Sequence, residues 1–457
     1  MSNWKVMKLS EVATIVGGGT PSSSKSEYFE NGNIPWITPK DLSGYNKRYI
    51  SKGERNITEL GLKNSSAKLL PKNTVLLTSR APIGYVAIAS NEISTNQGFK
   101  SLVLNNGHIP EFFYYLLKNN VHILESRATG STFKEISGKI LKDTELSIPT
   151  PDIQQKIVDI LSPLDDKIEL NTQINQTLEQ IAQALFKSWF VDFDPARAKV
   201  QALSDGISLK QAELAAMQAI SGKTPEELTA LSQTQPERYS ELAETAKAFP
   251  CEMVEVDGLE VPKGWEMKAL SDLGQIICGK TPSKSNKEFY GNEVPFIKIP
   301  DMHNQAFITQ TTDNLSLSGA NSQSKKYIPP KSICVSCIAT VGLVSMTSKP
   351  SHTNQQINSI IPNDEQTSEF LYLSLKQPSM TKYLKDLASG GSATLNLNTS
   401  TFSKIEIMTP SKEIIDIFHN KVVYAFEKVL SNSIENKRLA EIRDLLLPNL
   451  LNGESDE

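Results

Sequence analysis

The chain contains two long amphipathic segments that are copies of each other. The first, Pro163–Phe190, is predicted to be a helix because Ser162 can cap its first turn and its apolar residues recur at helical spacing. The second, Ile414–Leu447, has the same rhythm and is expected to end at Pro448. Matching apolar stripes on two helices of one chain predict that the helices pair. Two core helices in separate domains are the simpler alternative.

Each of the two segments carries a pair of asparagines at equivalent places on its apolar seam. Asn171 and Asn175 in the first correspond to Asn432 and Asn436 in the second, at a constant offset of 261 residues. A polar residue at the seam of a helix pair fixes the register at some cost in stability. We therefore expect these four asparagines to set the register of the helix pair.

A similar offset relates two longer blocks that precede the helices. Thr20-Pro21 in a glycine-rich turn corresponds to Thr281-Pro282, and Asn96-Gln97 corresponds to Asn354-Gln355. Both blocks alternate short apolar strands, turn clusters and helical stretches. A period of about 260 residues indicates duplicated domains rather than a solenoid of short repeats. The sequence predicts a mixed α/β (α+β) protein, in which an α/β domain followed by a long helix occurs twice.

The repeat divides the chain into five parts. We expect a first α/β domain, a first spacer helix, a helical insertion with a connector, a second α/β domain, and a second spacer helix with a C-terminal tail. Their respective ranges are 1–151, 152–195, 196–260, 261–410 and 411–457. The insertion has no copy elsewhere and is rich in Ala, Glu, Gln and Leu.

The net charge of −4 conceals a separation of charge along the chain. Residues 1–150 carry 18 basic and 12 acidic side chains, and residues 261–410 carry 14 and 11. Residues 151–260 carry 9 basic and 19 acidic side chains, and residues 411–457 carry 6 and 9. Basic blocks suit a polyanionic partner, whereas acidic helical blocks suit protein partners.

Composition places the chain among ordinary globular proteins. It has no window of about 18 uncharged apolar residues, which a membrane span requires. The N-terminal residues lack the apolar run of a signal peptide, and four cysteines in 457 residues do not form a disulfide framework. We therefore expect a cytoplasmic protein.

Two patterns resemble catalytic or metal sites, but neither is complete. Gly274–Thr281 fits the phosphate-loop string, yet Pro282 and a polar stretch follow where the motif needs a helix. Cys334 and Cys337 form a lone CxxC without a second ligand pair, so buried cysteines on a strand are the better interpretation. No nucleophile elbow or metalloprotease motif is present. We expect neither enzyme activity, nor a metal site, nor a cofactor bound by this chain.

The polar residues of the two α/β blocks instead suggest DNA contacts. Lys and Arg neutralise phosphates, and Asn, Gln and Arg can read base edges in the major groove. For any one of these residues an ordinary solvated surface is the alternative, and the repeated Asn-Gln and Gly-Ser/Thr positions could be turns that maintain the fold. The candidates are Lys25, Lys40, Lys47, Arg48, Arg80, Thr132, Lys134, Lys280, Lys284, Lys298, Asn354, Gln355, Ser392 and Thr394.

Large apolar residues at the ends of the long helices are candidates for a partner-binding surface. We expect the aromatic residues at the end of the first helix, Trp189, Phe190 and Phe193, to be exposed. The candidates are Trp189, Phe190, Phe193, Leu447 and Leu450.

Taken together, these stretches resemble a type I restriction–modification DNA specificity subunit of full length, with two target-recognition domains. The resemblance is carried by LSEVATIVGGGTPSSSKSEYF, by PLDDKIELNTQINQTLEQIAQALFKSWFVDFDP and by EIRDLLLPNLLNGE. It implies a non-catalytic protein in which two domains are held apart by antiparallel helices with pseudo-two-fold symmetry. Each domain would read one half of a bipartite, asymmetric target in the major groove.

The resemblance also implies partners. Two methyltransferase subunits would dock on the helices, and motor–nuclease subunits would join through them. S-adenosylmethionine, ATP and magnesium would then belong to those partners only. The 28 residues of Pro163–Phe190 span about 42 Å as a helix, which is roughly one turn of DNA. A stand-alone DNA-binding regulator and a phosphate-loop nucleotide-binding enzyme are the rival hypotheses.

Overall fold

The fold consists of two compact units, and each long helix contributes one part of its length to each unit. The computed structural model describes residues 3–80, 82–130, 134–256, 258–389 and 394–452. The first unit comprises Met1–Leu170 and Arg438–Glu457, and the second comprises Asn171–Lys437. No helix in these described ranges is long and apolar enough to cross a membrane.

The α/β domain of the first unit is built on three small sheets. In spatial order, the five-stranded sheet contains Ala13–Gly17, Lys100–Leu104, Val75–Ser79, Ile83–Ala89 and Tyr49–Ile50. The three-stranded sheet contains Arg55–Ile57, Ile34–Ile37 and Ser94–Thr95, and the two-stranded sheet pairs Trp4–Lys8 with Glu145–Pro149. The α-helices of this domain are Leu9–Val12, Glu59–Lys63, Pro110–Asn119, Val121–Ser126 and Gly138–Lys142, and the 3₁₀ turns are Ser26–Tyr28 and Pro39–Leu42.

The core of this domain lies where the helix Pro110–Asn119 packs against the five-stranded sheet. Residues 112–117 of that helix are all buried, and so is every residue of the central strand Val75–Ser79. Continuous apolar runs of this kind are expected of elements that are covered on both faces.

The second unit repeats this architecture strand for strand. Its five-stranded sheet contains, in the equivalent order, Gly274–Cys278, Ile357–Pro362, Ile333–Ser336, Val344–Thr347 and Phe307–Ile308. The smaller sheets contain Asp313–Leu315, Tyr290–Ile297 and His352–Thr353, and Glu266–Ala269 with Glu406–Thr409. The α-helices are Leu270–Leu273, Leu317–Asn321, Ser368–Lys376, Pro378–Ala388 and Thr399–Ser403, and the 3₁₀ turns are Lys287–Phe289, Ile299–Met302, Ser324–Lys326 and Glu365–Thr367. The prediction of duplicated mixed α/β domains is confirmed.

The first long helix is longer than the sequence predicted. It runs over Pro151–Phe190, 40 residues, with Pro163 inside it rather than at its start. A proline within a helix removes one hydrogen bond and crowds the preceding turn. The helix continues because the turns before the proline bury Ile157, Val158 and Leu161 in the core of the first unit. Burial of these side chains outweighs the local cost, so the predicted start at Ser162 was wrong.

The second long helix likewise passes through its predicted stop. It runs over Lys412–Leu451, and Pro448 lies inside it. The last turn buries Leu450 and Leu451 in the core of the first unit, and Leu447 packs against the same core. Leu450 therefore belongs to the interior of that unit, and its assignment to a partner surface was wrong; Leu447 is partly buried against the same core.

The aromatic end of the first long helix is also buried. Trp189 is 1 % exposed and Phe190 is 5 % exposed. The Trp189 ring lies 5.0 Å from Phe249, and the Phe190 ring lies 4.9 Å from Phe418, between centroids. Phe193, partly buried, packs its ring 5.4 Å from that of Trp265, and its backbone is left-handed with φ of 58°. The expectation that these aromatic residues are exposed was wrong, because they pack in or against the core of the second unit.

A helical segment lies between the first long helix and the second α/β domain and belongs to the second unit. It contains Asp194–Ser204, Leu209–Ser221, Pro225–Thr234 and Pro236–Ala248, followed by the strands Met253–Val256 and Leu259–Pro262. Ala216, Met217, Leu228, Leu242 and Ala246 form its small core.

A buried lysine ties the insertion together. Lys199 is 3 % exposed, and its ammonium donates to the carbonyl oxygens of Ala246 at 3.0 Å and Phe249 at 2.6 Å. These carbonyls lie at the C-terminal end of a helix, where a positive charge is favourable.

The paired asparagines meet within the second unit, as predicted for an antiparallel helix pair. Asn432, which is fully buried, donates to the side-chain oxygen of Asn175 at 2.9 Å. Asn171 donates to Asn436 at 2.9 Å and to Glu435 at 2.8 Å. Because the numbers rise on one helix as they fall on the other, the two helices run antiparallel here.

We expect Asn432→Leu alone to lower the free energy of unfolding by about 1–3 kcal/mol, because the amide of Asn175 loses its buried partner. The double variant with Asn175→Leu should recover most of that loss, since both polar groups are then replaced by apolar ones. Urea denaturation followed by tryptophan fluorescence measures both values. A double variant less stable than the single one would contradict pairing of these two amides.

Candidate nucleic-acid interface

In each domain, hydrogen bonds join the loop that contains the repeated glycine and threonine to the loop that contains the repeated asparagine and glutamine. We call this pair of loops the clamp. In the first domain the Thr20 hydroxyl donates to the side-chain oxygen of Gln97, and the Gly19 amide donates to Thr95 at 2.9 Å. A Cβ on Gly18 would lie 2.0 Å from the carbonyl oxygen of Asn96, so only glycine fits. These residues hold the fold.

The second domain has the same clamp. The Thr281 hydroxyl donates to Gln355 at 2.6 Å, and a Cβ on Gly279 would lie 2.1 Å from the carbonyl oxygen of Asn354. Asn354 is 7 % exposed, and its side-chain oxygen accepts from the amide of Gln356 at 3.1 Å. The alternative that these positions maintain the fold is therefore favoured, and Asn354 is unsuited to a base contact. Gln355 is exposed.

The phosphate-loop string does not form a phosphate loop. Gly274–Cys278 is a strand, but the next element is the short 3₁₀ turn Lys287–Phe289 rather than a helix. The backbone amide of Lys280 donates to the carbonyl oxygen of Thr353 at 2.9 Å, so it is directed into the fold. Phosphate cradling requires free amides at a helix start, and the nucleotide-binding hypothesis loses its geometric basis.

The CxxC cysteines are buried side chains. Cys334 lies in the strand Ile333–Ser336 and is fully buried, and Cys337 follows it at 1 % exposure. Burial raises the pKa of the Cys334 thiol to about 12 and that of Cys337 to about 11. Across the described ranges, no group of three or more His, Cys, Asp or Glu side chains is placed to hold a metal ion. The interpretation as buried cysteines is confirmed.

Arg48 is a structural residue rather than a DNA contact. It is 7 % exposed, and its guanidinium donates to the Tyr115 hydroxyl at 3.1 Å and to Asp166. The Tyr115 hydroxyl donates in turn to Asp165 at 2.6 Å, and burial together with that carboxylate raises the pKa of Tyr115 well above its usual value. Arg443 of the second long helix also donates to Asp165, at 2.6 Å. The prediction for Arg48 was wrong because the sequence Lys47-Arg48 shows two basic residues but does not show that the second is buried.

The remaining cationic candidates of the first domain lie at the surface. Lys47 is paired with Glu169 at 3.1 Å, and Lys40 is paired with Glu54 at 2.8 Å. The Lys25 ammonium lies 5.2 Å from the centre of the Tyr28 ring. Exposed pairs of this kind are weak and open readily to a phosphate.

Arg80 and Lys134 are both neighbours of Glu135. Lys134 precedes Glu135 in the chain, and Arg80 pairs with Glu135 through an isolated antiparallel β-bridge. Arg80 is paired with Glu135 at 3.7 Å, and Lys134 is exposed. Thr132 lies outside the described residues.

In the second domain the candidates are less uniform. Lys280 and Lys284 are exposed, as is Thr394. Lys298 is ion-paired with Asp313, and its ammonium lies 5.7 Å from the centre of the Phe296 ring. Ser392 lies outside the described residues.

Comparison with known proteins identifies the family. The model of the type I restriction modification DNA specificity domain matches residues 1–180 and 262–444. The chain is 65 % identical over 470 aligned residues to the HindI specificity subunit of Haemophilus influenzae, covering 99 % of this chain and 100 % of that protein. The chain belongs to the type I restriction–modification DNA specificity family. Such a specificity subunit recognises the DNA sequence for its restriction–modification system and carries no catalytic step.

Two further proteins extend the comparison. The specificity subunit is 33 % identical to the MjaIX specificity subunit of Methanocaldococcus jannaschii, covering 99 % of this chain and 93 % of that one. Its fold is similar to the crystal structure of a type I restriction–modification S subunit from M. genitalium, with a TM-score of 0.53 at 16 % identity, covering 98 % and 96 % of the two chains. The sequence-based recognition is confirmed.

We expect thiol labelling to distinguish the four cysteines in the native specificity subunit. Cys251 is exposed and should react rapidly with Ellman's reagent at about pH 8, and Cys278 should react more slowly because it is half-buried. Cys334 and Cys337 should react only as the domain unfolds, since their thiols are buried and protonated. Cys251→Ser should remove the fast phase, and labelling in urea should count all four. Rapid native labelling of Cys334 would contradict the buried assignment.

Proposed function

We propose that this specificity subunit reads a bipartite, asymmetric DNA target in the major groove, with one half read by each α/β domain and an unread gap between the halves. The observation that carries the proposal is that the two family matches, 1–180 and 262–444, fall on two domains of the same strand order. Both domains have an excess of basic side chains, which suits a phosphate backbone. The protein would act on DNA in the cytoplasm.

The difference between the two domains supports unequal half-sites. Residues 1–150 contain four arginines, whereas residues 261–410 contain none. Arginine is the side chain that most often reads guanine by two parallel hydrogen bonds. Domains that share a scaffold but differ in this residue type are expected to prefer different bases.

Partners follow from the same family membership. Two methyltransferase subunits would bind the long helices, and motor–nuclease subunits would join through them. S-adenosylmethionine, ATP and magnesium would be bound by those subunits. Because Trp189 and Phe190 are buried, the docking surface needs other residues.

Exposed apolar side chains on the long helices supply such a surface. In the first unit Leu445 is 71 % exposed, Ile442 is 47 % exposed and Ile160 is 45 % exposed. In the second unit Tyr424 is 77 % exposed and Ile181 is 59 % exposed. Large exposed apolar residues on helices are typical of protein contacts. We assign methyltransferase docking to them.

The first prediction from this proposal concerns methylated DNA. Cells that co-express the specificity subunit with the methyltransferase of its system should contain methylated adenines in a split motif, with two unequal halves and a fixed gap. Sequencing of modified bases measures this directly. Omission of the specificity subunit is the control and should abolish the motif. A continuous motif, or methylation that is independent of this chain, would refute the proposal.

The second prediction concerns docking. Leu445→Glu should weaken binding of the methyltransferase by at least about tenfold, because a charge replaces a buried apolar contact. Val6→Glu is the matched control, since Val6 is also 71 % exposed in the same unit but lies on the strand Trp4–Lys8. Quantitative co-purification or titration measures the difference. Equal losses for both variants, or none for Leu445→Glu, would remove this helix face from the docking surface. A chain that remains monodisperse and never binds a methyltransferase would instead favour the stand-alone regulator.

A further inference from the structure

Arg55 has a fixed position on the surface of the first domain. It lies on the edge strand Arg55–Ile57 of the three-stranded sheet and is exposed. Its guanidinium carbon lies 4.2 Å from the centre of the Phe29 ring and 5.9 Å from that of Trp36. The two rings meet edge to face, 6.0 Å apart. Stacking on aromatic faces holds a guanidinium plane in one orientation while leaving its N–H edges accessible.

The aromatic platform is itself anchored. Trp36 is 5 % exposed, and its indole nitrogen donates to the carbonyl oxygen of Gly19 at 3.0 Å. Trp36 is also the strand partner of Arg55 in the sheet register. The orientation of Arg55 therefore depends on a buried ring and on the glycine loop, not on a flexible surface.

Arg55 differs from the other arginines of the first domain. Arg48 donates to Tyr115 and Asp166, Arg80 is paired with Glu135, and Arg127 donates to the carbonyl oxygen of Asp143. In the described part of the chain, Arg55 has neither an ion pair nor a side-chain hydrogen bond. Because Arg55 is exposed, its guanidinium, which carries five N–H donors, is available to a ligand.

The equivalent position of the second domain has the opposite charge. Asp313 begins the strand Asp313–Leu315, whose place in its sheet matches that of Arg55–Ile57. Its carboxylate is ion-paired with Lys298. The backbone position is thus the same in both domains, whereas the side chain is basic in one and acidic in the other. We expect such a position to give the two domains different base preferences.

We propose that Arg55 reads a guanine in the half-site of the first domain. The proposal rests on the proposed DNA-recognition function and specifies one base contact of it. The guanidinium would donate two parallel hydrogen bonds to O6 and N7 of guanine in the major groove, with its plane already held by Phe29. A lysine keeps the charge but lacks the planar pair of donors and the stacking on Phe29, so it should make this contact less well than arginine.

The test uses the specificity subunit in complex with its methyltransferase. The wild-type complex, Arg55→Ala and Arg55→Lys are compared on duplexes that carry the methylated motif and on a series with one base pair changed in either half. Lys142→Ala is the control, because it removes one exposed positive charge from the same domain without touching the stack. Binding is measured at several salt concentrations, and thermal melting confirms that each variant is folded.

Arg55→Ala should lose about tenfold to a hundredfold of discrimination at one G·C pair in one half only. Arg55→Lys should lose part of that discrimination, at the same G·C pair, while keeping the salt dependence of the wild type. Lys142→Ala should keep the full base preference.

Other results would overturn the assignment. A uniform loss of affinity with Arg55→Ala, with a salt dependence lower by about one phosphate contact, would make Arg55 a backbone contact. Unchanged base preference in Arg55→Ala would exclude reading of guanine by Arg55, and losses in both halves would indicate a purely structural role. If the wild-type complex itself shows no split motif, the proposed function fails, and the assignment of Arg55 fails with it.

Discussion

The carboxylate of Asp165 is the point on which the first unit depends. It accepts hydrogen bonds from Tyr115 in the α/β domain and from Arg443 in the second long helix, while it belongs to the first long helix itself. Arg48 adds a second connection between the domain and that helix through Asp166. A partly buried charge network of this kind stabilises little by itself, but each partner is costly to remove once the others are in place. The orientation of the recognition domain on its helices is therefore specified by charge as well as by apolar packing.

Much of this architecture could be predicted from the sequence because the sequence contains an internal repeat. The shared glycine, threonine and asparagine positions predicted duplicated domains, and the seam asparagines predicted which helical turns meet. The helix ends could not be predicted, since Pro163 and Pro448 are local stop signals that buried side chains in the adjacent turns outweigh. Tertiary burial overrides local propensity in both places.

The candidate site was less predictable, for two physical reasons. Trp189 and Arg48 looked like surface residues because a sequence shows residue type but not what covers it. Arg55 escaped notice because its role depends on a ring that precedes it by 26 residues in the chain, Phe29, and on a strand pairing that no local pattern encodes. The loops carry this information in three dimensions, whereas the repeated turns that are easiest to recognise serve mainly to hold the two domains in the same fold.

The internal prolines affect the end-to-end length of the two long helices. Each proline lacks the amide hydrogen that would bond to the carbonyl four residues earlier, so the helix is prone to bend at that turn. Forty residues correspond to a contour of about 60 Å for a straight helix, and a bend makes the end-to-end chord shorter than this contour. The end-to-end length of such a helix depends on where the bend is placed, so two helices with equal numbers of residues but differently placed prolines would differ in end-to-end length.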